Sequence, residues 1–361
     1  MKRDVIRTTC VVLCGFALLS PLVSLAQTTT EVLLSATENP YNPIPSPDGK
    51  LIAYVGTGWG RAGDRGFGRS NLRSEVAVMT TSGEVLSRTP LANAFLFGWT
   101  NDSHDLICYR DWRFLLVGPN GAVSRQADET GGDNGFARSE RVAYLSKSDT
   151  FVWVEHQRSP RTLLLTQRGP IAENSAMTGA IVVPSPDERF IAVAGNGMDL
   201  WVYDTVTKTW ANLGKADIHP NEDWDYIKPS WNPWFADSSR LVFFSGSSLV
   251  IASPDGRHRS VVYESRTSAG LAVPSPDGKR VAYVTFTPRP MKVRPDLKFW
   301  GGTTIWTVPV DGKGKPQQVT SANEDTTYDL KWAGNDRLVF DRISDTLFYS
   351  HARLWAANVP R

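Results

Sequence analysis

Apolar and polar residues alternate with period two along many short segments of this chain, and no 3.6-residue spacing persists anywhere. One apolar segment recurs seven times. It reads Leu51-Ile-Ala-Tyr-Val55, Leu106-Ile-Cys-Tyr-Arg110, Arg141-Val-Ala-Tyr-Leu145 and Phe190-Ile-Ala-Val-Ala194. It continues as Leu241-Val-Phe-Phe-Ser245, Arg280-Val-Ala-Tyr-Val284 and Leu338-Val-Phe-Asp-Arg342. The starts lie 55, 35, 49, 51, 39 and 58 residues apart, and their mean of about 48 is close to the ~40–50 residues of one four-stranded propeller blade. Each copy is followed by a second alternating strand, such as Phe151-Val-Trp-Val154 or Thr304-Ile-Trp-Thr-Val308, and then by a weaker outer one. The pattern predicts an all-β chain folded as a seven-bladed β-propeller, with six blades as the runner-up.

Tight turns precede the repeats. Three are nearly identical: Pro45-Ser-Pro-Asp-Gly-Lys50, Pro184-Ser-Pro-Asp-Glu-Arg189 and Pro274-Ser-Pro-Asp-Gly-Lys279. Proline presets φ, aspartate bonds its neighbouring backbone, and glycine accepts positive φ. Looser versions stand at Thr100–Ser103, Phe235–Ser239 and Ala333–Asp336. The last unit reaches Arg361 after its third strand, while Glu31-Val-Leu-Leu-Ser35 precedes the first turn. This spare strand is expected to complete the last blade and close the ring, which removes exposed edges.

The Ser-Pro-Asp-Gly-Lys turn followed by an Ile-Ala-Tyr-type strand resembles the repeat of TolB-type (WD40-like) bacterial propellers over nearly all of residues 27–361. TolB itself has six blades and an α/β domain ahead of them. Here seven repeats begin about 18 residues after the expected leader, so TolB's envelope role is not implied. Similar repeats occur in prolyl-oligopeptidase-type enzymes, but this chain has neither room for their hydrolase domain nor a Gly-x-Ser-x-Gly motif.

Residues 1–26 read as a signal peptide. Lys2, Arg3 and Arg7 precede an apolar run from Cys10 to Leu25, and Ser24-Leu25-Ala26 offers a cleavage site. The run is too short and interrupted for a membrane span. Residues 27–361 form one domain, expected in the periplasm or secreted. Its only cysteine, Cys108, lies in a strand pattern and is expected to be a buried structural thiol. The chain holds 39 Lys plus Arg against 37 Asp plus Glu, so it lacks the strong positive field of a nucleic-acid binder.

Strand connectivity puts the Pro-Ser-Pro-Asp turns on one face and the long insertions on the other: Gly56–Ser74, Lys215–Pro229, Thr287–Gly302 and Ser344–Ala352. Function is expected on this long-loop face. Candidate binding residues are Arg61, Arg65, Arg69, Arg289, Arg294 and Trp300, with Trp224 in the acidic loop beside Asp217, Glu222, Asp223 and Asp225. Arginine and exposed aromatics are the usual anchors for a partner, here an anionic one. The bland alternative is ordinary solvated loop charge. The five histidines show no metal-ligand spacing, and neither cofactor nor metal is implied. The expectation is a monomeric, non-catalytic scaffold for a protein or envelope polymer. The alternative is a lyase or hydrolase acting at the central channel, for which His219, His351, Asp223 and Asp225 are the nominees.

Overall fold

The computed structural model describes residues 31–35, 40–58, 73–90, 95–110, 113–128, 142–156, 162–177, 181–195, 197–219, 231–290, 298–299, 301–343 and 352–360. Its strands begin with β1 (Glu31–Ser35), which leaves its sequence neighbours and is treated below. The first blade holds β2 (Tyr41–Pro45), β3 (Leu51–Gly58), β4 (Arg73–Thr80) and β5 (Val85–Pro90). The next holds β6 (Phe95–Trp99), β7 (Leu106–Arg110), β8 (Arg113–Val117) and β9 (Val123–Asp128). Then come β10 (Val142–Leu145), β11 (Thr150–His156), β12 (Thr162–Thr166) and β13 (Gly169–Asn174). They are followed by β14 (Ile181–Pro184), β15 (Phe190–Ala194), β16 (Met198–Asp204) and β17 (Thr209–Ala216).

A three-stranded sheet is next: β18 (Leu241–Ser245), β19 (Ser248–Ala252) and β20 (Arg259–Glu264). The following blade is β21 (Ser268–Pro274), β22 (Arg280–Phe286), β25 (Thr304–Pro309) and β26 (Gln317–Gln318). A short ribbon of β23 (Arg289–Pro290) and β24 (Lys298–Phe299) projects from it, inside what the sequence reads as a plain loop. The last sheet has β27 (Leu330–Trp332), β28 (Arg337–Ile343), β29 (Ala352–Asn358) and β1. Each unit is named below by its innermost strand. All pairings are antiparallel, and the protein is an all-β propeller.

The expectation of seven four-stranded units is corrected: among the described residues six sheets have four strands, and the β18 sheet has three. The segment that would be its innermost strand is reduced to one bridge, Trp234 opposite Leu241. Pro233 has no N–H to give to a ladder. Tryptophan side chains tie this segment to the neighbouring units. Trp231 Nε1 donates to Ala272 O on β21 at 2.9 Å, and Trp234 Nε1 to Val183 O on β14 at 2.9 Å.

The second of these bonds belongs to a clasp repeated three times. Trp99 Nε1 donates to Ile44 O at 2.8 Å, and Trp332 Nε1 to Val273 O at 3.1 Å. Each acceptor immediately precedes a Pro-Ser-Pro-Asp turn. In each turn the serine hydroxyl bonds the aspartate: Ser46–Asp48, Ser185–Asp187 and Ser275–Asp277. The aspartate N–H then donates to the looser turn of the next unit, at Ser103 Oγ, Ser238 Oγ and Asn335 Oδ1. The looser turns are thus the second halves of three clasps.

Apolar side chains fill the space between neighbouring sheets. Ile52, Tyr54, Ala77 and Met79 of the β2 blade pack on Ala333, Val339, Leu354 and Ala356 of the β27 blade. Of these, Ile52, Met79, Val339 and Leu354 each stabilise by roughly 1.5–3 kcal/mol when fully buried. Cys108 is buried in the next interface, where desolvation pushes its thiol up to about 12, which makes it an inert packing group.

Candidate functional site

On the long-loop face the chain leaves β17 and runs inward through Asp217, Ile218 and His219. Asp217 N bonds Phe244 O at 2.8 Å, and Leu271 N bonds Ile218 O at 2.9 Å. The approach is close enough to require Gly270: a Cβ there would stand 2.3 Å from Ile218 O. His219 is therefore carried into the interior. Its ring lies parallel to Tyr328 at 4.6 Å and edge-on to Phe286 at 4.7 Å. Nε2 stands 3.2 Å from Thr327 O, so that nitrogen carries the proton. Burial drives its pKa down to about 3. At neutral pH it is an uncharged packing group, and its nomination as a catalytic acid or base is corrected on that ground.

Beside His219 a cavity of about 460 Å³ opens between the β14 blade and the β18 sheet. Asp217, His219, Ser247, Ser265, Arg266 and Thr267 line it. Asp217 Oδ2 accepts Gly246 N at 2.6 Å, Ser247 Oγ donates to Glu264 Oε2 at 3.0 Å, and Ser265 Oγ to Thr267 O at 2.7 Å. Sequence reasoning passed over Ser265–Ser268, although a polar run between an outer strand and the next inner strand must cross on this face.

A buried acidic pair lies close by. Asp329 and Asp341 are fully buried, and Asp341 Oδ1 accepts Tyr328 N at 2.8 Å and Asp329 N at 2.9 Å. Burial, and then the charge of Asp329, raise the Asp341 pKa well above the usual carboxylate range. The signal was present in the sequence. Asp341 stands where the other repeats carry tyrosine, valine or phenylalanine.

Of the predicted binding residues, only Arg289 falls among the described ones. It is ion-paired with Glu324 at 3.2 Å, and its guanidinium lies over Gly302. Arg61, Arg65, Arg69, Arg294, Trp224 and Trp300 lie outside the described residues, as do Glu222, Asp223, Asp225 and His351. Among the described residues, no three His, Cys, Asp or Glu side chains are placed to hold a metal ion.

No protein-family model matches the chain, and no curated protein does. Solved structures do. One described as an oligogalacturonate lyase in complex with manganese superposes with a TM-score of 0.58 at 13% identity, covering 92% of this chain and 94% of that one. Likeness at that identity is a likeness of fold, and it agrees with the strand order and sheet pairings described above: the chain is a β-propeller.

Proposed function

We propose that this protein is an exported, monomeric binding propeller that engages a protein or envelope polymer through its long-loop face. The observation that carries the reading is an open cavity on that face whose wall includes a buried histidine. Arg266 lines the cavity and has no ion-pair partner among the described residues, and His219 in the same wall is buried, neutral and held by a backbone carbonyl. Such a surface is equipped to hold rather than to transfer protons. Export follows from the leader at residues 1–26, and kinship with TolB-type propellers from the shared turn and strand. In this reading β1 closes the ring on β29. The test is capture of partners from an envelope extract by wild type and by a variant with Arg61, Arg65 and Arg69 changed to Glu. Recovery falls in the variant if this face binds, and equal recovery refutes it.

A second reading, a propeller lyase, draws weak support from the fold likeness alone. Incubation with oligogalacturonate, with and without manganese, decides it. Unsaturated products that appear with the wild type and vanish in His351→Ala would favour the enzyme, and no turnover leaves the scaffold.

A further inference from the structure

We infer that the cavity between the β14 blade and the β18 sheet is a binding pocket for a small organic carboxylate, with Arg266 as its anion anchor. The inference rests on the proposed reading of the long-loop face and gives that face a ligand chemistry. A volume of about 460 Å³ lies within the ~300–1,000 Å³ of small-molecule sites. The neighbouring polar groups are engaged within the wall: Asp217 holds Gly246 N, Glu264 takes the Ser247 hydroxyl, and Ser265 bonds Thr267 O. Arg266 is left on the lip with no ion-pair partner among the described residues. Arg289 and Arg342, on neighbouring units, each have a carboxylate.

Two glycines with positive φ line the space. Gly197 and Gly246 sit at φ of +65° and +62°, and a Cβ on Gly246 would meet nothing within 4 Å. A planar, five-donor guanidinium without an ion-pair partner matches a carboxylate in bidentate fashion.

Calorimetric titration of the full chain with citrate and with glutarate, at ionic strength fixed by chloride and with glycerol as the uncharged control, tests the pocket. Both carboxylates bind saturably and glycerol does not. Arg266→Gln weakens binding about tenfold or more, as expected when charge-assisted hydrogen bonds are lost. Arg266→Lys keeps part of the affinity, and Lys279→Gln, on the opposite face, keeps all of it. No saturable binding by the wild type, or equal affinity in Arg266→Gln, overturns the inference. Macromolecular capture is scored separately. Carboxylate binding without capture supports the pocket and removes the scaffold reading, and capture without carboxylate binding removes the pocket alone.

Discussion

Arg342, on β28 and only 4% exposed, holds Glu31 of the N-terminal strand: Nη1 donates to Glu31 Oε2 at 2.5 Å. Glu31 Oε1 also accepts Ser321 N at 3.0 Å. The guanidinium lies over Phe340 and Trp355, 5.1 Å from each ring. β1 thereby pairs with β29, Glu31 opposite Ala357 and Leu33 opposite Trp355. Because Arg342 is desolvated and always charged, it needs an anion in this place. The strand therefore brings the last sheet both an outer edge and a counter-charge.

Glu31→Gln should accordingly cost more than a surface ion pair. Breaking a buried pair costs about 3–5 kcal/mol. Glu31 is 18% exposed, so roughly 2–3 kcal/mol is expected. Urea unfolding at pH 7 measures it. A loss under about 0.5 kcal/mol, the range of exposed pairs, would mean that β1 contributes little to the last sheet.

The acidic pair at Asp329 and Asp341 predicts a pH dependence of known sign. Asp341 titrates higher in the folded chain than in the unfolded one. The folded state therefore holds the extra proton, and this group's contribution to stability is full below the unfolded pKa. It is lost as pH rises from there through the raised folded value. Asp341→Asn keeps an oxygen for the Tyr328 and Asp329 N–H groups and removes the titration. The variant should match the wild type near pH 4 and melt at a higher temperature at pH 8. A wild type more stable than the variant at pH 8 would contradict the raised titration of Asp341.

Glu188 sets two effects against each other. It occupies the position held by glycine in the two sister turns, at a φ of 60°, a strain of order 1–3 kcal/mol for a non-glycine residue. Its carboxylate accepts Ser146 N at 2.8 Å, Ser146 Oγ at 2.5 Å, Lys147 N at 2.9 Å and Asn101 Nδ2 at 3.1 Å. It thus ties together the β6, β10 and β14 blades. Hydrogen bonds to a charged group contribute about 1.5–3 kcal/mol each, so four of them outweigh the strain. Glu188→Gly should destabilise by about 3 kcal/mol or more in thermal or urea unfolding. A Gly variant at least as stable as the wild type would show that backbone strain dominates.

The tryptophan clasps predict that Trp234→Phe, which keeps the ring and removes the donor, costs about 1–3 kcal/mol by orphaning a buried carbonyl. Amide exchange should report the loss as faster opening of β14 and β18, with the β2–β6 interface unaffected. Uniform acceleration across all units would argue against a local clasp.

The propeller was legible because its information is local. Period-two alternation and the Ser-Pro-Asp turn specify a strand and its hairpin whatever surrounds them. What the sequence hid depends on contacts between units. Trp99, Trp231, Trp234 and Trp332 are ordinary aromatics until the neighbouring carbonyl is placed. Pro233 reads as a turn residue until its missing N–H shortens an inner strand. His219 looked like loop chemistry because its neighbours Glu222, Asp223 and Asp225 are acidic. Only the Asp217–Leu271 path, with Gly270 clearing the way, shows it buried. Arg266 was missed because a lone arginine in a short polar crossing has no pattern of its own.

The long-loop face is the centre of the functional account, and charge reversal on the two faces tests it most directly. Partner recovery is measured for Arg266→Glu, on the cavity lip, and for Lys279→Glu, in a Pro-Ser-Pro-Asp turn on the other face, with equal melting temperatures as the control for folding. The account predicts that Arg266→Glu loses most of the recovery and Lys279→Glu keeps it. Equal recovery by the two variants, or loss confined to Lys279→Glu, would contradict it.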